Sequence, residues 1–181
     1  YPDENVIRFL AANFPPEHRA AARVLDVGCG AGRHVALLAR EGFQAYGVDG
    51  SEEGLAHARE ALASEGLTAH LRRGPLTRLP YDDGFFDGVI EVSVLIHNRP
   101  ADIRTIVAEV HRVLRPGGRG FFLLLSPRAF LYGRGPEVEP STFLIEEADW
   151  VSSRETDAPR PPLLYHLFDR GEVDRLFQPF A

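Results

Sequence analysis

The sequence of 181 residues contains no lysine, no methionine and a single cysteine, Cys29. The absence of lysine excludes enzymes that form a Schiff base on lysine or use lysine as a general base. A lone cysteine excludes an internal disulfide and any metal site built from several cysteines, and it fits a reducing compartment. We interpret Cys29 as a small apolar filler, because no histidine and asparagine that would activate it can be identified from the sequence.

Positive charge and long apolar runs are also scarce. The formal net charge is -6 and the pI is near 5.6, which argues against nucleic acid or an anionic membrane surface as a partner. The longest apolar run, 121–125, is too short to cross a bilayer, and the N-terminus lacks the pattern of a signal peptide. We therefore expect a cytoplasmic protein with a small-molecule partner, and a homodimer is compatible with this composition. No histidine and carboxylate spacing indicates a metal site.

Alternating glycines follow a short apolar run near the N-terminus. The run contains Asp26 and reads as a buried strand, and Gly28, Gly30 and Gly32 then lead into a helix. Glycines at a strand-to-helix turn let the backbone approach a ligand that any Cβ would exclude. Asp49 lies 21 residues after Gly28, at the end of a second strand-like run. A carboxylate there can accept both hydroxyls of a ribose, so the two motifs indicate a nucleoside-containing ligand.

Predicted strands and helices alternate along most of the chain. This succession predicts an α/β fold, a doubly wound and mostly parallel sheet with helices on both faces. The length favours a single domain, 1–181. The run 119–125 is apolar on both faces, which is typical of a central parallel strand. The predicted strands are 24–28, 44–49, 68–72, 86–92 and 119–125, and the predicted helices are 4–13, 32–41, 52–65, 100–114 and 169–178.

Four motifs in this order resemble the class I S-adenosylmethionine-dependent methyltransferases, and especially their small-molecule, ubiquinone-biosynthesis-type branch. They are LDVGCGAG at 25–32, GVDGS at 47–51, LPYDDGFFD at 79–87 and VLRPGG at 113–118. The dinucleotide fingerprint G-x-G-x-x-G fails, because Arg33 occupies the position of its third glycine. The resemblance implies a Rossmann-like methyltransferase fold, S-adenosylmethionine as cofactor, S-adenosylhomocysteine as product and a small methyl acceptor.

The resemblance also implies roles for single residues. The glycine loop would lie against the methionine end of the cofactor. Asp26 would either order that loop by accepting hydrogen bonds from its N–H groups or contact the cofactor directly. Asp49 would bind the ribose hydroxyls, and its replacement should affect folding little because Ser51 still caps the next helix. The implied cofactor-binding residues are Asp26, Gly28, Gly30, Gly32, Asp49, Gly50, Leu76 and Glu91.

One segment departs from the family pattern. After the third strand, members carry an acid that accepts the adenine amino group, but this chain has Gly74-Pro75-Leu76. Proline supplies neither an acceptor side chain nor an N–H. Adenine would therefore be recognised by backbone at Leu76 or by other contacts, or the cofactor would bind more weakly.

Methyl transfer needs mainly a nucleophile held in line with the activated methyl group, with water excluded. The resemblance places residues that face this group at the end of the fourth strand, where His97 is a candidate general base. His166, ahead of the last helix, is a second candidate at the acceptor pocket. A local packing role is the alternative for both histidines. The Asn-Pro-Pro-aromatic signature of amino-nitrogen methylation is missing, and the acceptor atom stays open.

The remaining parts of the chain carry further expectations. Residues 1–23 form a helical lead, 24–125 the cofactor-binding core, and 169–181 the last helix. Residues 126–168 form an irregular acceptor-pocket lid with only short strand-like pieces such as 142–145. The start at Tyr1 and the missing antiparallel strand pair of the family indicate an incomplete chain. It should continue for about 20–30 residues, since 119–125 would otherwise be an exposed apolar edge. A non-catalytic protein that binds cofactor or a partner, and a nicotinamide-nucleotide enzyme, remain alternatives.

Overall fold

The computed structural model describes residues 1–146 and 161–180, which form two compact units. The first unit comprises Tyr1–Val92 and Thr105–Phe122, and the second comprises Ser93–Arg104 and the described part of Leu123–Ala181. Residues 147–160 lie outside the described residues, and so does that part of the predicted lid. The assignment of the whole chain to a single domain stays a prediction.

A five-stranded sheet with strand order β3-β2-β1-β4-β5 organises the first unit. Strand β1 pairs in parallel with both β2 and β4, and β2 pairs in parallel with β3. This arrangement confirms the predicted doubly wound α/β fold. The strands are β1 Arg23–Val27, β2 Gln44–Asp49, β3 His70–Arg73, β4 Phe86–Val92 and β5 Leu114–Leu123, and the helices are α1 Glu4–Asn13, α2 Arg33–Arg40, α3 Glu52–Ser64 and α4 Pro100–Val113.

The helix boundaries follow the signals in the sequence. Ser51 caps α3, because its side-chain oxygen accepts a hydrogen bond from the Gly54 amide. Pro100 is the first residue of α4, where a missing N–H leaves no helical hydrogen bond unmade. Apolar side chains at helical spacing face the sheet, and those of Val35, Leu38 and Leu55 are fully buried. No helix in the described ranges is both long and apolar enough to cross a membrane.

Two predicted strands need correction. Strand β3 begins at His70, two residues after the predicted start. Strand β5 runs over Leu114–Leu123 and lies at one end of the sheet order, so the central position predicted for 119–125 is wrong within the described residues. The apolar residues 121–125 are only half-buried, and an apolar run does not report which strands flank it, although the flanking strands alone decide whether a strand is central.

A small antiparallel sheet of order β6-β7-β8 organises the second unit. Its strands are β6 Glu137–Glu139, β7 Thr142–Ile145 and β8 Leu163–His166, and helix α5, Arg170–Leu176, follows. The sequence predicted the strand-like piece 142–145 but treated its surroundings as irregular. Strands of three or four residues are too short to show periodicity, which is why β6 and β8 were missed.

Gly32 lets α3 pack closely on the loop that follows β1. A Cβ on Gly32 would lie 2.7 Å from the Cβ of Ala58 on α3, and the Gly32 φ of 78° is left-handed. We expect Gly32→Ala to lower the free energy of unfolding by about 1–2 kcal/mol through strain and this close contact. Urea denaturation measures the change. Adding Ala58→Gly removes the 2.7 Å contact but leaves the 3.2 Å contact with the Ala58 Cα and the backbone strain. With Ala58→Gly alone as the control for a glycine inside α3, we expect the two changes together to cost less than the sum of the single changes, whereas additive costs would contradict the assignment.

Candidate active site

The glycine loop of the first unit is fastened to the end of β2. The amides of Gly28 and Cys29 both donate hydrogen bonds to the Val48 carbonyl, at 2.8 and 3.1 Å. At Gly30 φ is 49°, and a Cβ placed there would meet no atom within 4 Å. The loop therefore borders open space on the side where a ligand is expected to contact the protein backbone.

Asp49 joins this loop to the start of α3. One carboxylate oxygen, Oδ2, accepts a hydrogen bond of 2.7 Å from the Gly30 amide, and Oδ1 accepts one of 2.8 Å from the Ser51 amide. Each oxygen keeps a further lone pair for a ligand hydroxyl. The Ser51 cap does not replace these two hydrogen bonds, so we now expect Asp49 to contribute to folding as well as to binding.

The segment after β3 lies beside Asp49 and Gly50. The Gly74 amide donates to the Asp49 carbonyl at 3.1 Å, and Arg73 Nε donates to the Gly50 carbonyl at 3.2 Å. The chain then turns, and the Arg78 amide donates to the Pro75 carbonyl. Within the described residues the Leu76 amide makes no hydrogen bond. The N–H that the sequence offered for adenine is thus open to a ligand.

Two further predicted residues are buried acids. Asp26 is 2% exposed in β1, and Glu91 on β4 is fully buried. Desolvation raises the pKa of the Asp26 carboxyl well above its usual range, Arg33 opposes the rise, and the carboxylates of Glu91 and Asp49 add to it. Asp26 Oδ2 has no hydrogen-bond partner in the part of the chain that the structure describes. A buried acceptor of this kind calls for a donor or a cation.

These features fit S-adenosylmethionine. That cofactor carries a sulfonium and an ammonium, which suit the three neighbouring carboxylates of Asp26, Asp49 and Glu91, and its ribose diol suits Asp49. The open side of Gly30 leaves room for the cofactor to approach the backbone closely. Among the described residues no cluster of acids, histidines and cysteine could hold a metal ion.

Cys29 lies in this loop and is 6% exposed. Burial raises the pKa of its thiol, and the carboxylates of Asp26 and Asp49 raise it further. We expect a thiol reagent at neutral pH to leave folded protein unmodified over the time in which denatured protein reacts completely, because the thiolate is the reactive form. Intact-mass spectrometry measures this. Fast labelling of the folded chain would contradict the filler role and reopen nucleophilic chemistry.

His97 in the second unit has one ring nitrogen engaged, and the other has no hydrogen-bond partner among residues 1–146 and 161–180. Its Nδ1 lies 2.9 Å from the Leu164 carbonyl, which can only accept a hydrogen bond. Nδ1 therefore carries the proton of the neutral ring, and Nε2 keeps its lone pair. The exposed His97 ring packs edge-on against Tyr165, with centroids 4.7 Å apart. A fixed tautomer with a free nitrogen is the arrangement a general base requires.

His166, in contrast, is 2% exposed and has both ring nitrogens engaged. Nδ1 lies 2.8 Å from the Thr142 hydroxyl, whose own hydrogen is donated to the Pro140 carbonyl. Nε2 lies 3.0 and 3.1 Å from the carboxylate oxygens of Glu172 on α5. Neither ring nitrogen is left to take a proton from a methyl acceptor. This geometry therefore favours a structural role for His166 and gives the catalytic prediction no support. Thr142 and His166 are register partners of β7 and β8, which no sequence spacing revealed.

Comparison with known proteins points to one family. The model of a family described as a methyltransferase domain matches residues 24–118. Methyltransferase GfsG of Streptomyces halstedii is 40% identical over 103 residues, which cover 55% of this chain and 36% of that protein. A ubiquinone biosynthesis O-methyltransferase of Nitrosococcus oceani is 35% identical over 117 residues, or 62% of this chain and 48% of that protein. The chain thus spans less than half the length of these curated relatives.

A solved structure shares the fold. The crystal structure of a SAM-dependent methyltransferase from Methanosarcina mazei superposes with a TM-score of 0.73 at 24% sequence identity. The superposition covers 91% of this chain and 82% of that chain. At this identity the likeness concerns the fold alone.

Proposed function

Because the chain belongs to the methyltransferase domain family, we propose that it transfers the methyl group of S-adenosylmethionine to a small-molecule acceptor. S-Adenosylmethionine is the cofactor of this family. The observation that carries the proposal is the Asp49 carboxylate, which accepts from the Gly30 and Ser51 amides while keeping a lone pair on each oxygen. A ribose diol is the ligand group that matches this pair of acceptors.

Each predicted cofactor residue of the first unit has a distinct proposed task. Asp49 binds the ribose, and the Leu76 amide and Gly50 contact adenine. The Gly28–Gly32 loop admits the methionine end, and the buried Asp26 carboxylate accepts its ammonium, with Glu91 adding negative potential. This use of backbone at Leu76 replaces the acid that Pro75 displaces.

His97 is the proposed general base for an acceptor that must lose a proton. When the cofactor is bound, its sulfonium supplies an activated methyl group. When an acceptor of this kind takes that methyl group, His97 Nε2 would accept the proton that the acceptor loses. The Nδ1 hydrogen bond to the Leu164 carbonyl orients the ring for this transfer. The lid role of 126–168 and a cytoplasmic location are part of the same proposal.

A hydroxyl on a small aromatic molecule is the acceptor class we would test first, since an O-methyltransferase of ubiquinone biosynthesis is among the similar proteins. The protein is incubated with S-adenosylmethionine labelled in its methyl group and with matched phenols, amines and thiols. Mass spectrometry then identifies the labelled product. Label in the phenol supports oxygen transfer, and label in the amine or thiol alone would replace that assignment.

Calorimetry separates this function from the two alternatives. We expect saturable binding of S-adenosylmethionine and S-adenosylhomocysteine and no binding of NAD. Binding without turnover across the acceptor panel would favour a non-catalytic member that binds cofactor. Binding of NAD alone would favour a nicotinamide enzyme and overturn the proposal.

A further inference from the structure

A buried histidine that no sequence motif marks lies between the start of α1 and the buried Asp26 of β1. His34, in the first turn of α2, is 3% exposed. Its Nε2 lies 3.1 Å from the backbone amide nitrogen of Asp3, the residue that caps α1. Its Nδ1 lies 3.9 Å from Asp26 Oδ2, the buried carboxylate oxygen described above. All three residues belong to the first unit.

The Asp3 amide decides which nitrogen of His34 carries the proton. A backbone N–H can only donate, so Nε2 must accept and therefore holds no hydrogen. Burial lowers the pKa of His34 to about 4, which keeps the ring neutral at physiological pH. A neutral imidazole has one N–H, and here it must be on Nδ1. That N–H lies on the side of the ring nearer the Asp26 carboxylate.

We propose that His34 is a positioning residue for Asp26, and that the Asp3 amide holds it in the tautomer whose Nδ1–H serves the Asp26 carboxylate when cofactor is bound. The present 3.9 Å separation is longer than a hydrogen bond. A movement of about 1 Å closes it, because an N–H to oxygen bond spans ~2.7–3.2 Å between heavy atoms. The N-terminal segment thereby becomes part of the cofactor-binding apparatus. This inference rests on the proposed function only in assigning Asp26 to the cofactor.

The charges around Asp26 explain why such a donor is needed. Glu91 and Asp49 both disfavour the ionised form of Asp26, as does its burial, and Arg33 alone among the named groups favours it. A neutral N–H donor stabilises the carboxylate without adding a cation that would repel a cationic ligand. His34 supplies that donor from the α2 side.

Two substitutions test the two ring nitrogens of His34 one at a time. Asparagine retains an N–H near the position of Nδ1 and loses the acceptor for Asp3, whereas glutamine can retain the acceptor and loses the donor toward Asp26. We expect His34→Gln to weaken S-adenosylmethionine about fivefold in calorimetry, and His34→Asn to weaken it by less than about twofold. Equal losses in both variants that follow their thermal stabilities would overturn the proposal and leave His34 a packing residue.

The role of the Asp3 amide is tested with proline, which has no N–H. Asp3 has a φ of -69°, which proline adopts without strain. Asp3→Pro removes both the amide hydrogen and the side-chain cap, and Asp3→Ala removes only the cap, so their difference reports the amide. We expect Asp3→Pro to weaken cofactor binding about threefold relative to Asp3→Ala in the His34 protein. In the His34→Asn background, Asp3→Pro and Asp3→Ala should bind the cofactor equally well, because the asparagine amide carries its N–H whether or not Asp3 donates to it.

Nitrogen chemical shifts of the histidine rings provide a readout that needs neither cofactor nor turnover. In the free protein we expect His34 to show protonated Nδ1 and bare Nε2, and Asp3→Pro to yield a mixture of tautomers. A protonated Nε2 in the unaltered protein would overturn the proposal even if methyl transfer were established. Conversely, failure to methylate any acceptor would leave this result intact, so the two failures are distinguishable.

Discussion

Replacing His97 by glutamine is expected to lower kcat for a hydroxyl acceptor by ~100-fold or more, the range typical of a lost general base. Glutamine preserves much of the size of the ring but cannot take up the proton that Nε2 of His97 would receive. Because His97 is exposed, the local fold should persist although the hydrogen bond of Nδ1 to the Leu164 carbonyl is lost, and His97→Asn, which keeps an N–H near Nδ1, should lower kcat to the same extent. Affinity for S-adenosylmethionine should not change, because the proposed cofactor residues all belong to the first unit. Single-turnover kinetics and calorimetry measure the two quantities.

An acceptor that is already ionised provides the sharpest control for His97. A thiol ionised at the assay pH has no proton to lose, so the His97→Gln variant should methylate it at close to the rate of the unaltered protein. His57→Gln, at an exposed histidine of α3, should leave both reactions unchanged. Equal loss for the hydroxyl and the thiolate would show that His97 acts by packing against Tyr165, and no loss at all would remove it from the reaction.

Replacing Asp49 by alanine is expected to weaken S-adenosylmethionine by at least ~10-fold, equivalent to about 1.4 kcal/mol. The carboxylate offers two charge-assisted hydrogen bonds to a ribose diol, and hydrogen bonds to charged groups contribute about 1.5–3 kcal/mol each. Asp49→Asn should fall between, because its amide keeps one acceptor oxygen but loses the charge. Calorimetric titration of the folded variants decides this, with Asp82→Asn, an exposed acid of the same unit, as the matched control. Unchanged affinity in Asp49→Ala would remove the ribose role.

The same substitution should also destabilise the first unit. Asp49→Ala leaves the Gly30 and Ser51 amides without the acceptor that now joins the glycine loop to α3. We expect the free energy of unfolding to fall by about 2–3 kcal/mol, less than the sum of two such bonds because water reaches this half-exposed site. Urea denaturation without cofactor measures the loss. A stability equal to that of Asp82→Asn would show that the two hydrogen bonds contribute little.

Local chemistry explains why much of the first unit could be predicted. The glycines at 28–32 indicated a turn that glycine adopts readily, and the capping residues indicated where helices begin. The alternation of strands and helices allows few topologies. Asp49 was identified because an acid at the end of the second strand of such a sheet has a fixed place beside the glycine loop. Its two backbone partners were not visible, since they depend on how closely the loop and α3 approach.

The sequence alone determined the parallel sheet, the glycine loop and the position of Asp49, because each follows from the order and spacing of residues along the chain. Tertiary structure alone decided which buried groups meet. The Asp3 amide and His34 are 31 residues apart, and Thr142 meets His166 only through the register of two short strands. It also decided that both ring nitrogens of His166 are engaged, whereas within the described part of the chain only Nδ1 of His97 is. The protonation of a histidine depends on the donors and acceptors around it, and only folding brings these together.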